Sequence, residues 1–244
     1  MLKNSSLHRQ KGASLVELMV GMAIGLIIVA AAASVYITTV RGGADTLRSA
    51  KLNIELRGTM DIMVAEIRRA GYIWFDANTN LSSNPFMQTN TNLTLLGSDC
   101  ILFAYDADGN SVANTSDQFG FKKNGSKVSM RLGGTAPSTS AGCSVVNDSW
   151  ESITDDSSII VDTLNFAVTY QCLNAQTGAA SANQRCAAGN AIYDAANAAA
   201  VKSDLVEIRN VTISLVGHHK DDTLTRMSLS QSVRVRNDRI QTVP

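Results

Sequence analysis

A single carboxylate lies inside the longest apolar stretch of the chain. Between residues 13 and 40, Glu17 is the only charged side chain. An ionised carboxylate in hydrocarbon costs at least about 3 kcal/mol, so it is expected to be paired or to have a function. Ser14 and Glu17 also match the S-x-x-E capping box, in which the acid satisfies backbone donors at a helix start. Near a helix N-terminus the macrodipole also favours a negative charge, so the two roles can coexist.

A second candidate site is Asp106-Ala107-Asp108-Gly109-Asn110, which has oxygen ligands at alternate positions around a glycine. Calcium loops use such an arrangement, but a full EF-hand continues to a distal Glu. Here the next acid is Asp117, and the spacing does not match. A D-x-D-G-N segment that follows a strand is also a good turn. We therefore expect a turn and no metal; Asp106, Asp108 and Asn110 are the residues that a calcium loop would use.

The remaining polar residues give no catalytic arrangement. His218-His219 stands beside Lys220 and an Asp pair, and adjacent histidines point in different directions, so a polar turn is favoured over a metal site. The sequence contains no G-x-S-x-G, P-loop, G-x-G-x-x-G or H-E-x-x-H motif. Lys+Arg and Asp+Glu are both 21, which gives no basic excess for a nucleic acid. We expect no enzyme activity, no cofactor and no nucleic-acid partner.

The element that positions Glu17 is a long apolar segment with a basic leader. Residues 13–40 exceed the roughly 20 apolar residues that a bilayer-spanning helix needs. Lys3, Arg9 and Lys11 precede it and no acid does. Positive charge stays on the cytoplasmic side, so the chain after Arg41 is expected to lie outside. The sequence predicts a single-pass membrane protein with an exported C-terminal domain.

Two common kinds of apolar segment, a secretory signal and a plain anchor helix, each leave one feature of residues 13–40 unexplained. A secretory signal cleaved after Ala31-Ala32-Ala33 is one alternative, but such signals have an apolar stretch of about 7–15 residues and no internal carboxylate. An uncleaved anchor helix explains the length and gives Glu17 no role.

The segment Lys11-Gly12-Ala13-Ser14-Leu15-Val16-Glu17-Leu18 resembles the class III signal of type IV prepilins. That signal has a short basic leader, a Gly before the cut, a Glu five residues after it and an apolar helix beyond. The resemblance implies cleavage between Gly12 and Ala13 by the prepilin peptidase, and N-methylation of Ala13. It also implies that Glu17 neutralises the new amine of an incoming subunit during assembly. The family usually begins with Phe or Met, and the small Ala13 departs from this pattern.

All four cysteines follow the apolar segment, as expected for disulfides in an oxidising compartment. Four cysteines allow three pairings. We favour Cys172–Cys186 because the sequence between them is typical of a loop, and Cys100–Cys143 then follows.

A helical pattern resumes after Gly42-Gly43, which can loosen the helix. Apolar residues recur at steps of three and four, which predicts one helix from about Ser14 to Ala70 that ends at Gly71. The members of this stripe are Leu52, Leu56, Met60, Met63, Ile67 and Ala70.

The rest of the chain is strand-like. Residues 72–97 are expected to form a surface connection, and residues 175–200 a surface excursion with a short helix over 191–201. Asn124-Gly125 is expected to supply the turn of a hairpin over 119–131. The other predicted strands cover 100–105, 159–170, 206–216 and 223–235.

A long helix laid on an antiparallel β-sheet is an α+β arrangement, and it is also the layout of pilins. The expected organisation is a cleaved leader at 1–12, a transmembrane and filament-core helix at 13–41, its amphipathic continuation at 42–71, and a periplasmic head domain at 72–244. The SLVELMVGMAIGL, DCILFAYDADGN and VRVRND segments are most similar to those of PilW-type minor pilins.

The resemblance implies a structural subunit that primes or supports pilus assembly and twitching motility. Its implied partners are other minor pilins, the major pilin, the prepilin peptidase and the inner-membrane assembly platform. It would reside in the inner membrane and then in the pilus at the cell surface. A pseudopilin of type II secretion shares the same signal, and an adhesive or ligand-binding module on a pilin stem is a third reading. A membrane-tethered enzyme would need a convergent polar site, and the sequence contains none.

Overall fold

The computed structural model describes residues 12, 14–74, 83–88, 91–134, 143, 149–199 and 202–243. Most of the predicted leader and the predicted new N-terminus, Ala13, lie outside the described residues. The described chain divides into two compact units after Leu47.

One continuous helix, α1 (Leu15–Arg69), occupies the N-terminal part of the chain. The Ser14 carbonyl accepts the first helical hydrogen bond, from the Leu18 N–H at 3.1 Å. The helix runs through Gly42-Gly43 without interruption. It is followed by Gly71, whose φ of +74° a residue with a side chain rarely adopts. The predicted helix is confirmed to within one residue at each end.

The second half of α1 buries the predicted apolar stripe. Leu56, Met63 and Ile67 are completely buried, and they pack in one core with strands from both sheets of the domain. The helix therefore gains its stability here from tertiary packing of one face rather than from propensity alone.

The first sheet has the strand order β1-β2-β3-β4-β5, and all neighbours are antiparallel. Its strands are β1 (Thr94–Leu95), β2 (Cys100–Ala104), β3 (Gln118–Asn124), β4 (Lys127–Leu132) and β5 (Trp150–Ser152). The predicted turn was wrong by one residue. Asn124 pairs with Lys127, so the two-residue loop is Gly125-Ser126, in which Gly125 has a φ of +61°.

The second sheet is built on two long strands. Its strands are β6 (Ile159–Asn174), β7 (Ala180–Ala182), β8 (Ser203–His219), β9 (Asp222–Arg234) and β10 (Arg239–Val243). The order is β10-β8-β6-β7, and β9 also pairs with β8. Alternate residues of β8 are buried along its whole length, as a strand with one face on a core requires. The short helix α2 (Ala191–Asn197) lies in the predicted excursion between β7 and β8.

The α+β, pilin-like fold is confirmed, but its strands form two sheets rather than one. The sheets are joined by main-chain bonds: Val161 N–H donates to the Ser126 carbonyl at 2.8 Å, and Phe166 N–H to the Ser98 carbonyl at 2.6 Å. Strand patterns identify strands and do not identify partners, which is why the division was missed.

Two predicted surface segments contribute to the interior. In the connection that follows α1, Phe86 and Met87 are 1% and 4% exposed, and the Asn84 side chain donates to the Gly71 carbonyl at 2.9 Å. The expected surface connection was therefore wrong for this part. The polar turn expected at His218-His219 was also wrong, because both residues belong to β8.

Candidate functional site

The apolar half of α1 presents a continuous hydrophobic surface. Every large apolar side chain from Leu15 to Val40 is exposed, by between 48% for Ile37 and 76% for Leu15. By length and composition this half of α1 can cross a membrane. Apolar surface on this scale marks a membrane or protein interaction site.

The serine and threonine hydroxyl groups in this half of α1 are satisfied within the helix. Ser34 Oγ donates to the Ala31 carbonyl at 2.8 Å, and Thr39 Oγ1 to the Val35 carbonyl at 2.9 Å. Thr38 Oγ1 donates to the Ser34 carbonyl at 3.0 Å. Such bonds allow a hydroxyl to lie in hydrocarbon without losing a partner. The helix surface is thus compatible with lipid at its polar positions as well as at its apolar ones.

Glu17 lies in the first turn of α1 and is exposed. Ser14 precedes the helix and occupies the N-cap position, because its carbonyl accepts the first helical bond. The positive end of the helix dipole favours the carboxylate at this place. Gly12 lies shortly before the helix in sequence. In sequence, the acid therefore follows the predicted cleavage position by five residues.

The four cysteines form two disulfides in the pairing that the sequence favoured. Cys100–Cys143 and Cys172–Cys186 have Cα–Cα distances of 6.4 and 5.1 Å. The second bond fixes the excursion that contains β7 and α2 to the end of β6. Cys186 is held further by its N–H, which donates to Oε2 of the fully buried Glu207 at 3.0 Å.

The Asp106 carboxylate organises the loop that was weighed as a calcium site. Its Oδ1 accepts the N–H groups of Gly109 at 2.8 Å and Asn110 at 3.1 Å. Its Oδ2 accepts the N–H groups of Trp74 at 2.9 Å and Ser111 at 3.1 Å. A carboxylate has about four lone-pair sites, and four backbone donors use them. This acid therefore has a structural role in the turn that the sequence predicted.

Asp117 also approaches this loop, which the sequence spacing did not indicate. Carboxylate oxygens of Asp106, Asp108 and Asp117 lie within 4.8 Å of one another. Asp117 accepts the Ala107 N–H at 3.1 Å through Oδ1 and the Asn114 N–H at 3.1 Å through Oδ2. The second bond belongs to a capping box on a short 3-10 turn. The cluster is therefore explained by the backbone donors that it binds.

A charged group on the second sheet was not predicted. His218 Nδ1 lies 3.0 Å from both oxygens of Asp162, and the Arg226 guanidinium donates to Asp162 at 2.9 Å. The three residues come from β6, β8 and β9, so only the strand register brings them together. Partial burial opposes ionisation of Asp162, but the bonds from His218 and Arg226 lower its pKa below the usual value.

Two buried charges on β8 were also missed. Glu207 and Arg209 are 0% and 1% exposed. They share the inward face with Leu205, Val211 and Ile213, so the alternation of β8 contained the signal. Burial lowers the pKa of Arg209 to about 10. Glu207 accepts from the Cys186 N–H and Arg209 donates to Asn92, so both residues connect loops to the sheet. Neither residue lies near the apolar half of α1 in sequence.

A long N-terminal helix with an exposed apolar half and one acid in its first turn, continuing as an amphipathic helix on antiparallel sheets, defines a pilin-type protein. Residues 7–33 match the prokaryotic N-terminal methylation motif. Residues 45–235 match the model of the prepilin peptidase-dependent protein B family, which covers most of the chain. The chain belongs to this family, and its N-terminal segment is of the prepilin type. No curated protein and no solved structure matches the chain.

Proposed function

We propose that the chain is a minor type IV pilin of the PilW type, a non-enzymatic structural subunit that primes or supports pilus assembly. The observation that carries the proposal is the apolar half of α1, whose large apolar side chains are all exposed and which contains Glu17 as its only charge. Membership of a prepilin peptidase-dependent family and the methylation motif support it.

Cleavage between Gly12 and Ala13 would give the acid its partner. The cut creates an ammonium group at Ala13, four residues before Glu17 and in the same apolar layer. The amine of an incoming subunit would be neutralised by Glu17 of a subunit already in the filament. Because bare charges are costly at low dielectric, a wrong axial register would leave both charges unpaired. The pair therefore specifies position in the filament more than it adds stability.

The same helix surface would serve in two environments. In the inner membrane it is covered by lipid, and in the filament it is covered by the helices of other pilins. Packing of one surface on a different surface of the next subunit is heterologous and does not close, which generates a helical fibre. The proposed partners are other minor pilins, the major pilin, the prepilin peptidase and the inner-membrane assembly platform. The head domain would lie in the periplasm before assembly and on the pilus after it.

N-terminal sequencing with mass spectrometry of the mature protein tests the proposal. In cells with a working prepilin peptidase, the chain is expected to begin at Ala13 and to carry one methyl group on its amine. A Gly12→Val variant is expected to keep its leader. A wild-type chain that still begins at Met1, or one that begins at Ser34 after an ordinary signal cleavage, overturns the proposal.

A pseudopilin of type II secretion is the second candidate, because the methylation motif is common to both kinds of subunit. Deletion of the gene separates them. Loss of surface pili with normal secretion supports the minor pilin, and loss of secretion with normal pili supports the pseudopilin.

A further inference from the structure

The strand β9 has an open edge. It pairs with β8 on one side, and no strand in the described part of the chain pairs with its other side. From Met227 to Val233 the strand contains no charge and no proline. Proteins usually protect a long edge strand with lysines, prolines, bulges or a covering element, because unpaired main-chain groups bind other strands. β9 is 13 residues long, and over seven consecutive positions it has no lysine, no proline and no bulge, although Arg57, Met60 and Asp61 of α1 line a pocket beside Leu229, Ser230 and Gln231.

The main-chain groups that face outwards can be identified from the register. Val235 N–H donates to the Arg209 carbonyl at 3.0 Å, in continuation of the β8–β9 pairing. Because main-chain groups of successive residues point to opposite sides of an antiparallel strand, Ser228, Ser230 and Ser232 direct theirs away from β8. All three serines are exposed, and among the described residues none bonds to these groups. The edge can therefore accept a further strand.

This edge ends in a basic cleft. The next outward N–H, that of Arg236, donates to the Arg68 carbonyl at the end of α1, at 3.1 Å. The cleft has a volume of about 370 Å³ and is lined by Arg68, Ser232, Val233, Arg234 and Arg236. Arg234 pairs with Asp238 at 2.8 Å. The Arg68 and Arg236 guanidinium groups have no ion-pair partner among the residues that the structure describes.

We propose that the β9 edge and this arginine cleft bind an extended segment of another pilin-type subunit, uncharged along the strand and acidic at one end. Main-chain bonds to β9 would supply strand addition, and the cleft would fix the register. Three guanidinium groups against one carboxylate leave two positive charges, which an acidic end complements. Arginine binds carboxylates through two parallel N–H bonds, which gives direction as well as charge. The identity of the partner as a pilin-type subunit rests on the proposed function; the chemistry of the groove does not.

Peptide binding to the detergent-solubilised full chain tests the groove. The probes are synthetic eight-residue peptides of alternating Val and Thr, with two Glu residues at either end, and the same peptides with Gln in place of Glu. Of the two Glu peptides, the one whose Glu residues reach the arginine cleft is expected to bind at least ten times more tightly than its Gln counterpart. This difference in affinity should shrink at high salt. Equal binding of all peptides, or no binding of any, overturns the proposal.

Variants separate the two parts of the groove. Arg68→Gln with Arg236→Gln should remove the preference for Glu, whereas Arg226→Gln, at an arginine of the same strand that is paired with Asp162, should not. Ser230→Pro removes an outward N–H and should weaken every peptide at least tenfold relative to Ser230→Ala. The proposal is contradicted if the double variant keeps the wild-type preference for Glu, or if Ser230→Pro binds the peptides as tightly as the wild-type chain does.

Leader removal and filament incorporation of the same variants are measured in cells. Normal leader removal with reduced incorporation is expected for the double variant. An uncleaved wild-type chain would overturn the proposed function while leaving the peptide result intact, so the two failures are distinguishable. Normal incorporation of both the double variant and Ser230→Pro would overturn the groove as a subunit contact.

Discussion

The Arg209 guanidinium on β8 donates a hydrogen bond to the side-chain oxygen of Asn92, 117 residues earlier in the chain. It also donates to the Asn237 carbonyl at 2.5 Å. Although burial lowers the pKa of Arg209 to about 10, the group remains charged at neutral pH. One buried cation therefore connects the segment that follows α1 to the loop between β9 and β10.

We expect Arg209→Met to destabilise the head domain by at least about 2 kcal/mol, because the Asn237 carbonyl would lose its guanidinium donor and the Asn92 side-chain oxygen would keep only the Leu93 N–H. Urea unfolding of the detergent-solubilised protein measures the change. The control is Arg226→Met, at an arginine that is 57% exposed, which should cost no more than about 1 kcal/mol. Equal effects of the two variants would mean that the buried bonds add nothing.

Leu56 and Ile54 provide a matched pair on α1. Leu56 is completely buried in the core, and Ile54 is 72% exposed on the same helix. Leu56→Ala is expected to cost about 2–5 kcal/mol of unfolding free energy. Ile54→Ala should change it by less than about 0.5 kcal/mol, but should reduce incorporation if this face packs on other subunits. Unfolding and incorporation are measured for both variants, and normal incorporation of Ile54→Ala would mean that this face of α1 makes no essential contact with other subunits.

Removing each disulfide should have different consequences. The Cys100–Cys143 bond spans 43 residues and the Cys172–Cys186 bond spans 14. Loop-closure entropy predicts losses of about 4 and about 3 kcal/mol respectively. Paired Cys→Ala variants, compared by urea unfolding under oxidising conditions, measure the difference. Reduced wild-type protein lacks both bonds and is the control, so it should lose more stability than either variant. No loss in either variant contradicts the entropic account.

The Asp162 group predicts a defined dependence on pH. Partial burial opposes ionisation, but His218 and Arg226 lower the pKa of Asp162, so its ionised form is favoured in the folded state. Its contribution is complete above the unfolded pKa of about 3.9 and is lost as pH falls through the lower folded pKa. Asp162→Asn should therefore cost up to about 1 kcal/mol at pH 7, and this cost should decrease as the pH falls through the lowered folded pKa of Asp162. A difference that is constant over this range would mean that shape, not charge, is responsible.

Local patterns predicted the elements well and their partners poorly. The stripe of α1, its end at Gly71 and the long strands follow from periodicity within single segments. The two sheets, the Asp162 group and the approach of Asp117 to Asp106 depend on register between strands far apart in sequence. No periodicity contains that information. The buried Glu207 and Arg209 were partly predictable. The alternation of β8 places them on the inner face, whereas charged side chains are usually expected on the outer face.

The features of the candidate site are local in sequence, so the sequence alone could indicate them. Glu17, the apolar helix and the basic leader lie within 41 consecutive residues, and the methylation motif covers residues 7–33 of them. The β9 edge was not predicted, because an open edge is visible only when every neighbour of the strand is known. Membrane insertion and cleavage act on a linear segment, whereas docking acts on a surface.

The last prediction concerns Glu17 itself. If the acid pairs with the Ala13 amine of a neighbouring subunit, Glu17→Gln should fail to assemble as severely as Glu17→Ala, because only a negative charge neutralises an ammonium group in an apolar layer. Leader removal, measured by mass spectrometry, should be normal in both variants. Asp61→Asn, at an exposed carboxylate further along α1, is the control and should assemble normally. Filament fractions probed for the subunit give the result, and normal incorporation of both Glu17 variants would exclude the charge pair as the determinant of register.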